Sequence, residues 1–193
     1  MGAIFVMRGD LLFDIDVEKI CCFSGNRNDK LPFKGDRNAM GIKRLESTIE
    51  FEIERLIKDG FQFFITGMAN GIDLICAETV LRLKSKYKDI GIICIIPYAG
   101  HIREMRTDRD KYVYSLIERS CFRSITLATG YYKNCYKDRN EFMIENSSKL
   151  LAVYDSSKQA GSGTYHTIRY AENTGLDVKV IEINKNPQFF EIV

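Results

Sequence analysis

FQFFITGMANGIDLICAETVLRL, residues 61–83, sets a short apolar run, a glycine-bearing turn and a helical pattern end to end. Phe61 to Thr66 has the length and the aromatic and β-branched content of a buried strand. Ile72, Ile75, Cys76, Thr79, Val80 and Leu83 then recur at steps of three and four, which puts them on one helix face. The same grammar repeats outward. Strand-length runs occur at Lys19 to Phe23, Gly91 to Pro97, Ser124 to Ala128, Leu150 to Tyr154 and Val178 to Ile183, and a second helical stripe runs through Ile42, Leu45, Ile49, Ile53 and Leu56. Gly60 and Gly175 stand just before strands, where a left-handed helix cap belongs. Alternating strands and helices imply parallel strands joined by right-handed crossovers. The expected fold is α/β: a Rossmann-like three-layer sandwich with a mostly parallel central sheet. One domain is expected over residues 18–193, with residues 1–17 as an N-terminal extension.

Composition narrows the function classes. The chain has 193 residues and a formal charge of +2 from 28 Lys plus Arg against 26 Asp plus Glu, too little by itself to imply nucleic acid. With 45% hydrophobic and 28% charged residues the composition is ordinary for a globular protein, which excludes disordered and collagen-like classes, and a chain of this length buries roughly 70% of its unfolded surface. No apolar run reaches the ~18 residues of a membrane helix. MGAIFVMRGD at the start has neither a basic leader nor a lipidation pattern, and the six cysteines form no C-x-x-C, which together point to a cytoplasmic chain with buried thiols. Cys21 and Cys22 are adjacent and point to opposite faces of their strand. Two histidines far apart, His101 and His166, make a protein-built metal site improbable, and no cofactor is expected.

In open α/β sheets, ligands bind outside the carboxyl ends of the strands. The unusual residues concentrate there: Ser24-Gly25-Asn26-Arg27, Thr66-Gly67-Met68-Ala69-Asn70-Gly71-Ile72-Asp73, Pro97-Tyr98-Ala99-Gly100, then Asp155 and Gly161-Ser162-Gly163-Thr164. Glycine turns that open a helix let backbone N–H groups approach an anion at the positive end of the helix. Neither a P-loop nor G-x-G-x-x-G occurs, which disfavours P-loop NTPases and standard dinucleotide dehydrogenases. Arg27 suits a bidentate contact to phosphate or carboxylate. Asp73 suits a ribose hydroxyl, with a plain first-turn acid as the bland alternative. Arg103, Arg106 and Arg109 interleave with Glu104, Asp108 and Asp110 and read as a solvated, ion-paired helix face. Tyr131, Tyr132 and Tyr136 alternate with Lys133, Lys137 and Arg139, a pattern that either stacks a base or closes the rim of the core. Arg139-Asn140 opens a helix near the same edge.

Together SGNR (24–27), TGMANGIDLICAE (66–78), IPY (96–98), YYKNCYKDRNEFMIENSSKLLAVYD (131–155) and GSGTYHTIRYAE (161–172) resemble the SLOG superfamily of Rossmann-like nucleotide-sensing domains, most closely its YpsA-like branch. TGMANGID also resembles the glycine motif of the DprA proteins, and Arg139-Asn140-Glu141-Phe142-Met143 with GSGT is similar to the Lonely guy (LOG) phosphoribohydrolases. The resemblance implies a nucleotide or nucleotide-derived ligand, adenine-containing or ADP-ribose-like, with phosphate at the GSGT and TGMANG turns. The ligand-binding residues it implies, together with the loop reading, are Gly25, Arg27, Thr66, Gly67, Met68, Ala69, Gly71, Asp73, Pro97, Tyr98, Arg139, Asn140, Asp155, Gly161, Ser162, Gly163 and Thr164. Tyr98, Tyr131 and Tyr132 are the candidates for base or ribose contact. The position matching the LOG catalytic glutamate is Thr167, which cannot serve as that acid, so no catalytic residue is assigned. Binding or sensing is therefore the leading function. A LOG-like nucleoside-monophosphate N-glycohydrolase and a DprA-like single-stranded DNA binder are the alternatives, nucleic acid being the less favoured partner. Self-association into a homo-oligomer is also implied, and no membrane partner.

Overall fold

The computed structural model describes residues 15–158 and 162–190. Among the described residues six strands form one sheet: β1 (Ile20–Gly25), β2 (Phe63–Thr66), β3 (Gly91–Ile96), β4 (Arg123–Thr126), β5 (Lys149–Tyr154) and β6 (Asp177–Glu182). Every pairing is parallel, and the order is β4-β3-β2-β1-β5-β6. The expectation of a mostly parallel sheet is met by a wholly parallel one.

Helices α1 (Met40–Lys58), α2 (Ile72–Leu83) and α3 (Asp108–Ser120) cover one face, and α4 (Cys135–Glu145) and α5 (Gly163–Asn173) cover the other. Strands alternate their side chains between the two layers. Cys21 and Phe23 thus enter the core beneath α1 to α3, whereas Ile20 and Cys22 enter the core beneath α4 and α5. Because both faces are covered, β1 and β3 are buried along nearly their whole length. The edge strand β6 alternates instead. Helix α1 buries Ile42, Leu45, Ile49, Ile53 and Leu56, the stripe read from the sequence. Helix α2, packed between α1 and α3, is buried on nearly all sides.

The chain builds outward from β1 to β4 in one direction, then crosses through α4 and adds β5 and β6 on the other side of β1. The strand order therefore reverses between β1 and β5, which opens a crevice at their carboxyl ends. Strand limits differ from expectation by at most two residues. β1 continues through Ser24 and Gly25 because these pair with Ala152 and Val153 of β5.

Residues 101–110 are not one helix. A 3₁₀ turn at His101–Glu104 ends at extended Met105, and Thr107 restarts the chain as the cap of α3, so Arg103, Arg106 and Arg109 do not share an ion-paired face. Of the expected extension, residues 1–14 lie outside the described residues, while Ile15 is buried in the core beneath α4 and α5. No helix among the described residues is long and apolar enough to cross a membrane.

Candidate functional site

At the β1/β5 crevice the exit loops are tied to one another. Asn26 N–H donates to the Val153 carbonyl (3.2 Å), and Ile72 N–H donates to the Asn26 carbonyl (3.1 Å). Gly71 enters α2 at φ 90°, and a Cβ there would lie 2.5 Å from the Asn26 oxygen, so only glycine fits. Gly25 is pressed beneath Ile72, whose Cβ would be 2.4 Å from an added methyl.

The TGMANGID turn is a seat for an ion pair. Thr66 Oγ1 donates to the Asp73 carbonyl (3.1 Å) and accepts from Met68 N–H (3.2 Å), while Met68 takes the left-handed conformation at φ 58°. Asp73 Oδ2 accepts from Ala69 N–H (3.3 Å) and from Arg139 Nη1 (3.2 Å). The Arg139 guanidinium occupies the space a side chain at Gly67 would need, since a Cβ there would stand only 1.3 Å from Nη1. Burial raises the Asp73 carboxyl pKa, against the pull of Arg139 and the Ala69 amide. Burial likewise lowers Arg139, against the pull of Asp73. Desolvation thus outweighs mutual attraction in both partners, and Arg139 Nε is buried without a hydrogen-bond partner among the described residues.

Above this pair opens a cleft of about 160 Å³. Its walls bring together Gly25, Arg27, Ala69, Asp73, Arg139, Asn140, Ser162, Gly163 and Thr164 from four separate stretches of the sequence. Ser162 caps α5 by accepting from Tyr165 N–H (3.1 Å), which leaves the first amides, Gly163 and Thr164, at the cleft wall. Arg139 is 5% exposed, yet it is part of that wall.

The other sequence candidates stand behind the wall. Thr66, Gly67 and Met68 form the layer beneath Arg139, and Gly71 braces the β1 loop. Pro97 is buried at the end of β3. Tyr98, 6% exposed, donates to Glu104 (3.0 Å) and is enclosed by the rings of His101, Tyr131 and Tyr136. Asp155 is buried and accepts from Ser157 N–H (3.0 Å). Gly161 lies outside the described residues. Tyr132 is tied to Asp138 (2.8 Å), and Tyr131 is 68% exposed, so Tyr136 is the one of the three tyrosines at the cleft wall. It carries Arg27 over its ring at 5.2 Å. Asp29 and Lys30 lie outside the sequence candidates, and Asn26 and Tyr136, singled out there only as part of the first turn and of the tyrosine-rich stretch, also line the cleft. Asn26, Asp29 and Lys30 lie beside Arg27 in the same loop, which was the available signal for them.

Behind Tyr136 sits His101, fully buried with neither ring nitrogen paired among the described residues. Burial, together with the positive field of Arg139 and Arg27, pushes its pKa down to about 3, so the ring is neutral. On α5, Thr167 Oγ1 accepts from Asn140 Nδ2 (2.7 Å) and donates to the Gly163 carbonyl (2.8 Å), which commits its hydroxyl. Among the described residues no group of three or more His, Cys, Asp or Glu could hold a metal ion.

Comparison with known proteins bears on the same stretch of chain. The UPF0398 protein of Staphylococcus saprophyticus is 26% identical over 160 residues, covering 81% of this chain and 84% of that protein. The UPF0398 protein of Bacillus cereus is 28% identical over 134 residues, covering 69% and 71%. Among solved structures, DNA processing protein A of Helicobacter pylori, described for its single-stranded DNA binding mode, superposes with a TM-score of 0.58 at 17% identity. It covers 89% of this chain and 68% of that one, a likeness of fold. The model of the YspA SLOG family matches residues 21–186, from the second residue of β1 to beyond β6 and so across every wall of the cleft, and the chain belongs to that family.

Proposed function

We propose that the cleft binds the phosphate of a nucleotide or nucleotide-derived ligand, an adenine nucleotide or an ADP-ribose-like compound, and that the protein acts by binding rather than by cleavage. The observation that carries this reading is Arg139. A guanidinium 95% removed from solvent, held among the described residues by a single 3.2 Å bond and with Nε unpaired, faces the cleft beside the amino end of α5. An anion there gains the open amides of α5 and completes the solvation of Arg139. Arg27 and Lys30 add positive charge, whereas Asp73 is occupied by Arg139. Gly25, Arg27, Ala69, Arg139, Asn140, Ser162, Gly163 and Thr164 are its proposed contacts; Asp73, Thr66, Gly67, Met68 and Gly71 act by positioning.

N-glycohydrolysis needs a group that stabilises an oxocarbenium-like centre or activates water. Thr167 has no carboxylate, and its hydroxyl is engaged at both ends. Asp73 is the fixed counter-charge of Arg139, which removes it as a mobile acid.

Thermal denaturation with AMP, ADP-ribose and NAD tests the proposal. Ligand at 100 times its dissociation constant adds about 2.7 kcal/mol, a shift of roughly 5–10 °C at this chain length. The shift is expected to vanish in Arg139→Ala. No shift across the panel, or an equal shift in the variant, refutes it. A second reading, single-stranded DNA binding, is favoured by the exposed Tyr131 near Arg27 and Tyr136, and by the fold shared with the Helicobacter protein. It requires a complex that weakens steeply with salt. A gel shift without a complex at low salt removes it.

A further inference from the structure

The cleft at Arg139 measures about 160 Å³, short of the roughly 300–1,000 Å³ of ordinary small-molecule sites. It therefore has room for the phosphoryl end of a nucleotide and little else. Toward α2 the β1 loop packs so close to Gly71 that a Cβ there would lie 2.5–2.8 Å from the backbone of Asn26 to Asn28. Toward α5 it continues. Tyr136, Asn140 and Gly163 wall both this cleft and a larger groove of about 460 Å³ that runs between α4 and α5.

We infer that this groove is the nucleobase subsite, and that the ligand is a nucleoside 5′-phosphate or a derivative of one, its planar base lying against Tyr136 and Tyr170. The inference rests on the phosphate reading of the cleft. Gly163 and Tyr170 are seven residues apart on α5, about 10 Å along the axis, so the groove follows the helix outward from its amide end. Its floor is the hydrogen bond between Asn140 and Thr167, which is uncharged. An uncharged floor between two aromatic rings suits the π-face of a base, and a second phosphate would find its cations already paired: Lys137 with Glu141 (3.3 Å) and Arg169 with Glu172 (2.8 Å). Tyr170 keeps its hydroxyl on Glu145 (2.8 Å) and lines the groove, whereas Tyr98, buried behind Tyr136, and Tyr132 line neither the groove nor the cleft.

Two measurements test the assignment. The first is photolabelling of the whole chain with 8-azido-AMP, followed by peptide mapping. Label is expected within residues 136–141 or 163–173, and label confined to residues 26–38 or to Tyr131 overturns it. The second compares AMP with ribose 5-phosphate by calorimetry. Base stacking corresponds to roughly five-fold in affinity or more. AMP is therefore expected to bind at least about five-fold tighter than ribose 5-phosphate. Tyr170→Ala is expected to erase most of that margin while leaving ribose 5-phosphate within two-fold of its wild-type affinity. Equal affinities for the two compounds in the wild-type protein overturn the base subsite and leave the phosphate site standing. Absence of binding by both compounds, with no competable label, overturns the phosphate reading and the inference together.

Discussion

Replacing Gly67 with alanine sets a methyl carbon 1.3 Å from Nη1 and 2.3 Å from Cζ of Arg139. Non-bonded heavy atoms settle at about 3.5–4.0 Å, so the guanidinium must withdraw by roughly 2 Å. Its 3.2 Å bond to Asp73 is then lost, and two buried charges remain without their partner. Deleting one member of a buried pair costs about 3–5 kcal/mol. Displacement keeps part of the attraction, so a loss of about 2–3 kcal/mol is expected. The anion site fails at the same time, because a charge-assisted hydrogen bond contributes about 1.5–3 kcal/mol, or 10- to 150-fold in Kd. Urea unfolding followed by circular dichroism reads the first effect, and calorimetry with AMP and with pyrophosphate reads the second. Gly163→Ala is the matched control. A Cβ there meets nothing within 4 Å, so folding stability should stay within about 0.5 kcal/mol of wild type. A Gly67→Ala protein with wild-type unfolding midpoint and wild-type anion affinity would refute the argument that Gly67 exists to seat Arg139.

Asp73→Asn leaves the Arg139 charge buried and unmatched, with about 3–5 kcal/mol of stability lost; part of the loss should return in phosphate buffer, and melting curves with and without phosphate check this. For His101, the folded pKa of about 3 lies below the unfolded value of about 6.5, so the unfolded state takes the proton first. Stability therefore falls as pH drops below about 6.5, by about 2 kcal/mol at pH 5, and levels off below pH 3. His101→Phe removes that liability, so its advantage in melting temperature over wild type should grow by about 4–8 °C between pH 7 and pH 5; an unchanged difference would contradict the burial of a neutral imidazole. Thr167→Val strands Asn140 Nδ2 and should lower stability by about 1 kcal/mol in urea titration, without creating or abolishing any release of ribose 5-phosphate from AMP.

The periodicity of residues 61–83 was enough to identify a strand, a turn and a helix, and its repetition was enough for a parallel three-layer sheet. That is so because burial on a sheet or helix face is a local constraint with periods of 2 and 3.6 residues. It also located the glycine turns at the carboxyl ends of the strands, and with them Gly25, Arg27, Arg139 and Gly163. Other features lay beyond its reach. The strand order that opens the crevice between β1 and β5 depends on which way the crossover through α4 runs. Gly67 looked like an amide approach to phosphate, but a side chain 72 positions away lies on it, and Asp73 looked like a ribose acceptor, but the same side chain pairs with it. Tyr98 and Tyr136 are equivalent in composition, yet one is interior and the other forms the wall. Sequence determined the elements and the edge at which chemistry gathers, because both follow from short-range patterning. Only the tertiary structure decided which residues support the site and which face it, because those pairings join segments that are close solely by virtue of the way the crossovers stack.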